Sequence, residues 1–178
     1  MLQLETADIN EYVEILRFYD TVTDQLQGAE YSPGWIKRVY PTEDYLRESL
    51  RQKELFVARI HSEIVGVMVL NHETAAGYDL VEWQVQAEAK KVTILHAFAV
   101  ADQYQRRGFG RQMVQAALDL ARAAGQEAVR LDVLADNLPP QKLYAKMGFA
   151  YRGTQTLFYE DTGLTDYKLY EYALNPES

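Results

Sequence analysis

The run Val92-Thr93-Ile94-Leu95-His96-Ala97-Phe98-Ala99-Val100 constrains the fold more than any other stretch of the chain. It is nearly all apolar, so it reads as a strand buried on both faces, the kind found at the centre of a covered sheet. Gly108 then opens the strongest helical pattern, with a stripe of Met113, Ala117, Leu120, Ala121 and Ala124 and a terminating Gly125. Ala128 to Val133 is a further strand. Leu138 to Met147 is a helix with Pro139-Pro140 in its first turn, where missing N–H groups cost little, and Gly148 ends it. Ala150 to Tyr159 and Tyr167 to Leu174 read as two final antiparallel strands around Glu160-Asp161-Thr162-Gly163.

Upstream, Ile9, Tyr12, Val13 and Leu16 fall on one helix face, with Asp8 or Thr6 as the cap. Ser32-Pro33-Gly34 breaks the chain. Thr42-Glu43-Asp44 is an N-cap with acids in the first turn, opening a short helix through about Gln52. Leu55 to Ile60 and Ile64 to Leu70 form a hairpin over His61-Ser62-Glu63. His72 to Lys91 has weak periodicity and reads as a long insertion, with a short strand expected around Leu80 to Val85. The order of elements implies an α+β chain with a central mixed sheet and helices on both faces, a single domain over residues 1–178.

Composition narrows the function. The chain has 18 Lys+Arg against 26 Asp+Glu, a net charge of −8, which repels phosphate backbones and anionic lipid and attracts cations. Neither nucleic acid nor membrane is expected as a partner. With no cysteine, thiolate nucleophiles, disulfides and Cys-based zinc sites are excluded. His61, His72 and His96 lack metal-ligand spacing, so no metal is expected. No apolar run reaches the ~20 residues that cross a bilayer, and the N-terminus lacks the features of a signal peptide. The expected compartment is the cytoplasm.

Gln105-Arg106-Arg107-Gly108-Phe109-Gly110 lies between the buried strand and the long helix. Glycines let a backbone approach a ligand closely, and the first N–H groups of a helix are unpaired donors at its positive end. With Arg106, Arg107 and Arg111 this point of an acidic chain suits an anion such as a pyrophosphate; a tight turn with solvated arginines is the alternative. The dinucleotide and Walker patterns both fail here. A second constellation runs from Asp136 to Phe149. Asn137 stands at a strand-to-helix junction, either as a plain N-cap or as a ligand group, and Tyr144 lies about two turns into the helix.

Gln-x-x-Gly-x-Gly after a strand, followed by Asn-x6-Tyr-x3-Gly-Phe, resembles the GNAT superfamily of acyl-CoA-dependent N-acyltransferases. The resemblance covers about Leu55 to Leu174. Val100-Ala101-Asp102 departs from the family's usual Val-x-Pro. It implies acetyl-CoA as co-substrate and an amine as acceptor, with no covalent enzyme intermediate. The loop Gln105, Arg106, Arg107, Gly108, Phe109, Gly110 and Arg111 would wrap the pyrophosphate. Phe98, Ala99 and Val100 would pair with the pantetheine arm, a backbone N–H there polarising the thioester carbonyl. Asn137 would bond the pantetheine, and Tyr144 would hydrogen-bond the sulfur and protonate the leaving thiolate. His96 and Glu82 are the candidate bases, each with a plain alternative: a structural histidine and a solvated acid. Trp35, Tyr40 and Trp83 are candidates for the acceptor-site lining, or ordinary packing. Nothing suggests an extended peptide groove, which favours a small cationic amine over a protein N-terminus or lysine. A non-catalytic acyl-CoA-binding module is the rival, and a homodimer is implied by resemblance alone.

Overall fold

The computed structural model describes residues 2–174. Among them are seven strands and four α-helices: β1 (Leu4–Thr6), α1 (Tyr12–Gln25), α2 (Glu43–Arg51), β2 (Leu55–Ile60), β3 (Glu63–Asn71), β4 (Val92–Val100), α3 (Phe109–Ala123), β5 (Ala128–Leu134), α4 (Leu138–Lys146), β6 (Ala150–Tyr159) and β7 (Gly163–Ala173). The strands form one mixed sheet in the order β1-β2-β3-β4-β5-β7-β6. The chain divides into two compact units, residues 1–30, 35–70 and 96–117 in one and 31–34, 71–95 and 118–178 in the other, so β4 contributes to both.

In the first unit, Asp8 accepts from the Asn10 N–H and Glu11 reaches back to the Asp8 N–H, a capping box on a 3-10 turn that leads into α1. The buried face of α1 is Tyr12, Ile15, Tyr19 and Val22, spaced 3, 4 and 3. This corrects the expected face, because Ile9 and Val13 are exposed; the tight turn over Ile9–Glu11 advances the chain at three residues per turn and shifts the phase. Thr42 caps α2 by accepting from the Tyr45 N–H at 3.0 Å, and Leu46 and Leu50 face inward. The β2–β3 hairpin pairs from Leu55↔Val69 to Ile60↔Glu63, with a shift at Ala58/Arg59 and His61 at φ 55° in the turn. β1, which no pattern announced, adds to the edge of β2.

The second unit is built on β5, which pairs parallel to β4 over Val92–Ile94 and antiparallel to β7 from Ala128↔Ala173 to Leu134↔Tyr167. β7 returns against β6 from Gly163, so it starts earlier than the sequence suggested. No strand forms over Leu80 to Val85, which corrects that expectation. Tyr78–Leu80 is a 3-10 turn, and the chain beyond it bonds to side chains rather than to a neighbouring strand. Glu171 Oε1 accepts from the N–H groups of Gln84 (2.8 Å) and Val85 (3.4 Å), and Arg130 donates to the Val85 carbonyl (2.6 Å). Arg130 and Glu171 are themselves a buried ion pair at 2.9 Å, and Trp83 lies 4.3 Å below the guanidinium. On α3, Met113, Val114, Ala117, Leu118 and Ala121 are buried; Leu120 and Ala124, expected on the stripe, are exposed because the buried arc is centred nearer Ala121.

Candidate active site

In the first unit, β4 carries a kink. Ala97 has φ 48°, a left-handed conformation costly for a residue with a Cβ, and its carbonyl is held by the Tyr19 hydroxyl at 2.6 Å. Tyr19 is fully buried, and burial pushes its phenol well above the ordinary value, so it stays a donor. His96 and Phe98, on either side of the kink, are half-buried, while Ala99 is buried and Val100 half-buried. The strand is locked to β3 by the Ala101 N–H on the Val65 carbonyl (2.9 Å). Gly66 permits the packing of α3 here: a Cβ would stand 2.8 Å from Met113 Cε and 3.2 Å from the Ala99 carbonyl.

The chain then enters the loop ahead of α3. The Gln105 amide donates to the Val100 carbonyl (2.9 Å), and the backbone turns at Arg106 (φ 57°) and Gly108 (φ 83°). A Cβ on Gly108 would meet nothing within 4 Å, so the space beside this backbone is open. The first N–H groups of α3, as in any α-helix, have no intrahelical acceptor. Arg106, Arg107 and Arg111 are all exposed; Arg107 rests over Tyr104 (5.5 Å) and Phe109 (5.7 Å) and donates to the Gln103 carbonyl (3.4 Å). A strong local donor set and open space are what a multiply charged anion needs.

In the second unit, Asn137 is the N-cap of α4, yet its side chain makes no capping bond, and it is buried. The plain N-cap reading is therefore set aside. Gln141, which sequence reasoning passed over, does the structural work: its amide donates to the carbonyls of Ala135 (2.9 Å), Asn137 (3.1 Å) and Leu134 (3.3 Å). Tyr144 is buried one turn further on, against Phe149 (5.4 Å) and Tyr170 (6.4 Å). Its hydroxyl has no hydrogen-bond partner among the described residues. Burial, and then the charge of Asp132, push its phenol well above the ordinary value of 10. Asp132 was also passed over; it accepts from the hydroxyls of Tyr78 (2.7 Å) and Tyr159 (2.8 Å), and burial raises its carboxyl against those two bonds.

The remaining candidates scatter. Glu82 is exposed, and among the described residues its carbonyl is engaged by Arg152. Trp83 packs on Tyr78 and Arg130 and donates to the Tyr78 carbonyl (2.8 Å). Trp35 and Tyr40 belong to a ladder of rings running Tyr19, Trp35, Tyr40, Tyr45 in the first unit, with centroids 5.7, 6.2 and 6.2 Å apart. No cluster of three or more potential metal ligands occurs among the described residues.

Residues 17–149 match the model of the acetyltransferase (GNAT) family. The N-alpha-acetyltransferase of Sulfurisphaera tokodaii is 32% identical over 105 residues, 57% of this chain and 60% of the relative. The uncharacterized N-acetyltransferase YvbK of Bacillus subtilis is 27% identical over 109 residues, 61% of each chain. The matched region thus spans about 60% of the length of these curated relatives. The structure of yncA from Salmonella typhimurium, a putative acetyltransferase solved with its cofactor acetyl-CoA, superposes with a TM-score of 0.70 at 17% identity, covering 100% of this chain and 96% of that one. A buried strand with a glycine-arginine loop ahead of a helix, the Asn137–Tyr144 spacing and a family match across most of the sequence agree: the chain belongs to the GNAT acetyltransferase family.

Proposed function

We propose that the protein transfers an acetyl group from acetyl-CoA to a primary amine by direct attack of the neutral amine on the thioester. Tyr144 carries the reading: a buried phenol, held protonated, whose hydroxyl has no internal partner. A module that only binds acyl-CoA has no use for such a donor. Acetyl-CoA supplies the activated acyl group. The loop from Gln105 to Arg111 would bind its pyrophosphate, the backbone of Phe98, Ala99 and Val100 its pantetheine arm and thioester carbonyl, and the uncommitted side chain of Asn137 its amides. The open flank of Gly108 and the free Asn137 amide both fit such a ligand.

The tyrosine's role can be sharpened. An ordinary thiol has a pKa of about 8.5 and Tyr144 lies above 10, so full proton transfer from phenol to thiolate is uphill by more than about 2 kcal/mol. Tyr144 therefore acts by hydrogen-bonding the sulfur as charge grows there, and relays a proton that originates on the acceptor nitrogen. His96 and Glu82 are the proposed bases, His96 beside the kinked backbone and Glu82 through water. The net charge of −8 supports a small cationic acceptor in the cytoplasm. The N-alpha-acetyltransferase relative supports a protein N-terminus as the second reading. A homodimer would bury the exposed Phe158 and Leu164, which face each other across the β6–β7 hairpin.

The test follows free thiol release from acetyl-CoA over a panel of small amines and peptides. Tyr144→Phe is expected to lower kcat by ~10²–10⁴ with CoA affinity unchanged. Wild-type protein that binds CoA and acetylates nothing would leave the binding module as the correct reading.

A further inference from the structure

Two charged side chains project from the same face of β5, Arg130 and Asp132, because alternate residues of a strand share a face. Their surroundings differ. Arg130 is neutralised by Glu171 at 2.9 Å and bonded to the Val85 carbonyl. Asp132 makes no ion pair among the described residues, Arg130 being taken by Glu171. Both of its hydroxyl donors, Tyr78 and Tyr159, bind the same oxygen, Oδ2. Oδ1 has no hydrogen bond among the described residues. Two hydroxyls fix one oxygen of the carboxylate and leave the other, which is not sealed from solvent, free to accept from a ligand.

Tyr78 and Tyr159 reach Asp132 through their hydroxyls, and each packs on a further ring. Tyr159 and Tyr167 lie 5.0 Å apart, and Tyr78 and Trp83 5.6 Å apart. Aromatic rings beside a carboxylate without an ion pair suit an alkylammonium, which gains a charge-assisted hydrogen bond to the carboxylate and apolar contact for its chain. The position in the strand matters too. The ladder of β5 to β4 runs over Ala128–Arg130, two residues short of Asp132. The residue keeps part of its surface exposed, so a small cation can reach it.

We propose that Asp132 is the carboxylate that receives the ammonium group of the acceptor, held ready on Oδ2 by Tyr78 and Tyr159 and open on Oδ1. This rests on the acyltransfer reading above, names the residue that selects a cationic acceptor, and gives the first proton to Asp132 in place of His96 or Glu82. The ammonium nitrogen gives one proton to Asp132, leaving a neutral amine and a neutral carboxylic acid. The C–N bond forms as the C–S bond breaks, the second nitrogen proton passes to the sulfur by way of Tyr144, and the Asp132 proton returns to solvent. One proton is released per turnover, as the overall reaction requires. The charge of Asp132 raises Tyr144, so arrival of the ammonium removes that contribution and makes Tyr144 a stronger donor when the acceptor is in place.

Binding separates this inference from the activity itself. The probe is butylammonium, with butanol as its neutral match, in thermal melts at pH 7. Wild type and Tyr144→Phe are expected to be stabilised by butylammonium and not by butanol, and Asp132→Asn by neither. In turnover, Asp132→Asn is expected to lose ~10²–10⁴ in kcat/KM for cationic amines with CoA affinity kept. Tyr159→Phe keeps the charge and deletes one donor, which raises the carboxyl. The acid limb of amine binding should then move to higher pH, in a site whose facing groups are Tyr78, Tyr144, Tyr167, Arg130 and Glu171. That variant also decides the matter if Asp132→Asn does not fold. Equal butylammonium stabilisation of wild type and Asp132→Asn, no stabilisation of wild type, or an unmoved acid limb in Tyr159→Phe would each overturn the inference. Absence of turnover from a wild type that still binds butylammonium through Asp132 would instead count against the acetyltransferase reading alone.

Discussion

Glu171→Gln probes the clamp that holds the chain between β3 and β4. The substitution keeps the shape of the side chain and its ability to accept from the Gln84 N–H, while the negative charge and the acceptor of the Arg130 Nε–H give way to an NH2. Glu171 is 2% and Arg130 9% exposed, with their charged atoms 2.9 Å apart. Removing one member of a buried pair costs about 3–5 kcal/mol, because the other charge stays behind without its partner. Arg130 keeps the Val85 carbonyl and the face of Trp83, which places the loss at the lower end, about 3 kcal/mol. At about 2–4 °C per kcal/mol for a chain of this size, the melting point should fall by roughly 6–12 °C. Calorimetry measures this directly, and cleavage by protease within residues 72–91 should rise in parallel. The double variant Arg130→Met, Glu171→Gln should recover part of the loss, since no buried charge remains. A single variant melting within about 2 °C of wild type, or a double variant worse than the single, would refute the reasoning.

Three further substitutions address the first unit. Gly108→Val should abolish CoA binding in calorimetry, since a branched side chain is strained at φ 83° and fills the open flank of the loop, while Arg107→Ala should weaken binding by ~1–3 kcal/mol; unchanged affinity in both would remove the anion site. Tyr19→Phe deletes the donor to the Ala97 carbonyl and should cost about 1–3 kcal/mol in urea unfolding while raising the KM for acetyl-CoA, because the kink loses its restraint.

Much of the fold is legible in the sequence. The strand Val92–Val100, the Thr42 cap and the β2–β3 hairpin are local decisions, set by patterning and side-chain-to-backbone bonds within a few residues. The face of α1 was misread because a 3-10 turn changes the period just before the helix. The chain over residues 80–85 was misread because its hydrogen bonds come from Glu171 and Arg130, about 86 and 45 residues away, which no window can register. Asn137 and Tyr144 were visible through their spacing. Asp132 was not: one acid in the apolar run Ala128 to Val133 looks like an ordinary polar position until Tyr78 and Tyr159 are seen converging on it.

The clamp has a consequence for how such a chain can change. Arg130 and Glu171 grip the covering segment by its main chain, through the Val85 carbonyl and the N–H groups of Gln84 and Val85, and Arg152 grips the Glu82 carbonyl likewise. None of these bonds reads a side chain. The exposed positions 82 and 84 can therefore be rewritten while the path of the backbone is kept, whereas Val85 packs on the core and β5 and β7 cannot lose the pair. A library randomised at those two positions on the natural Arg130–Glu171 background should return mostly folded proteins, so the exposed side of this segment can diversify at little cost in stability.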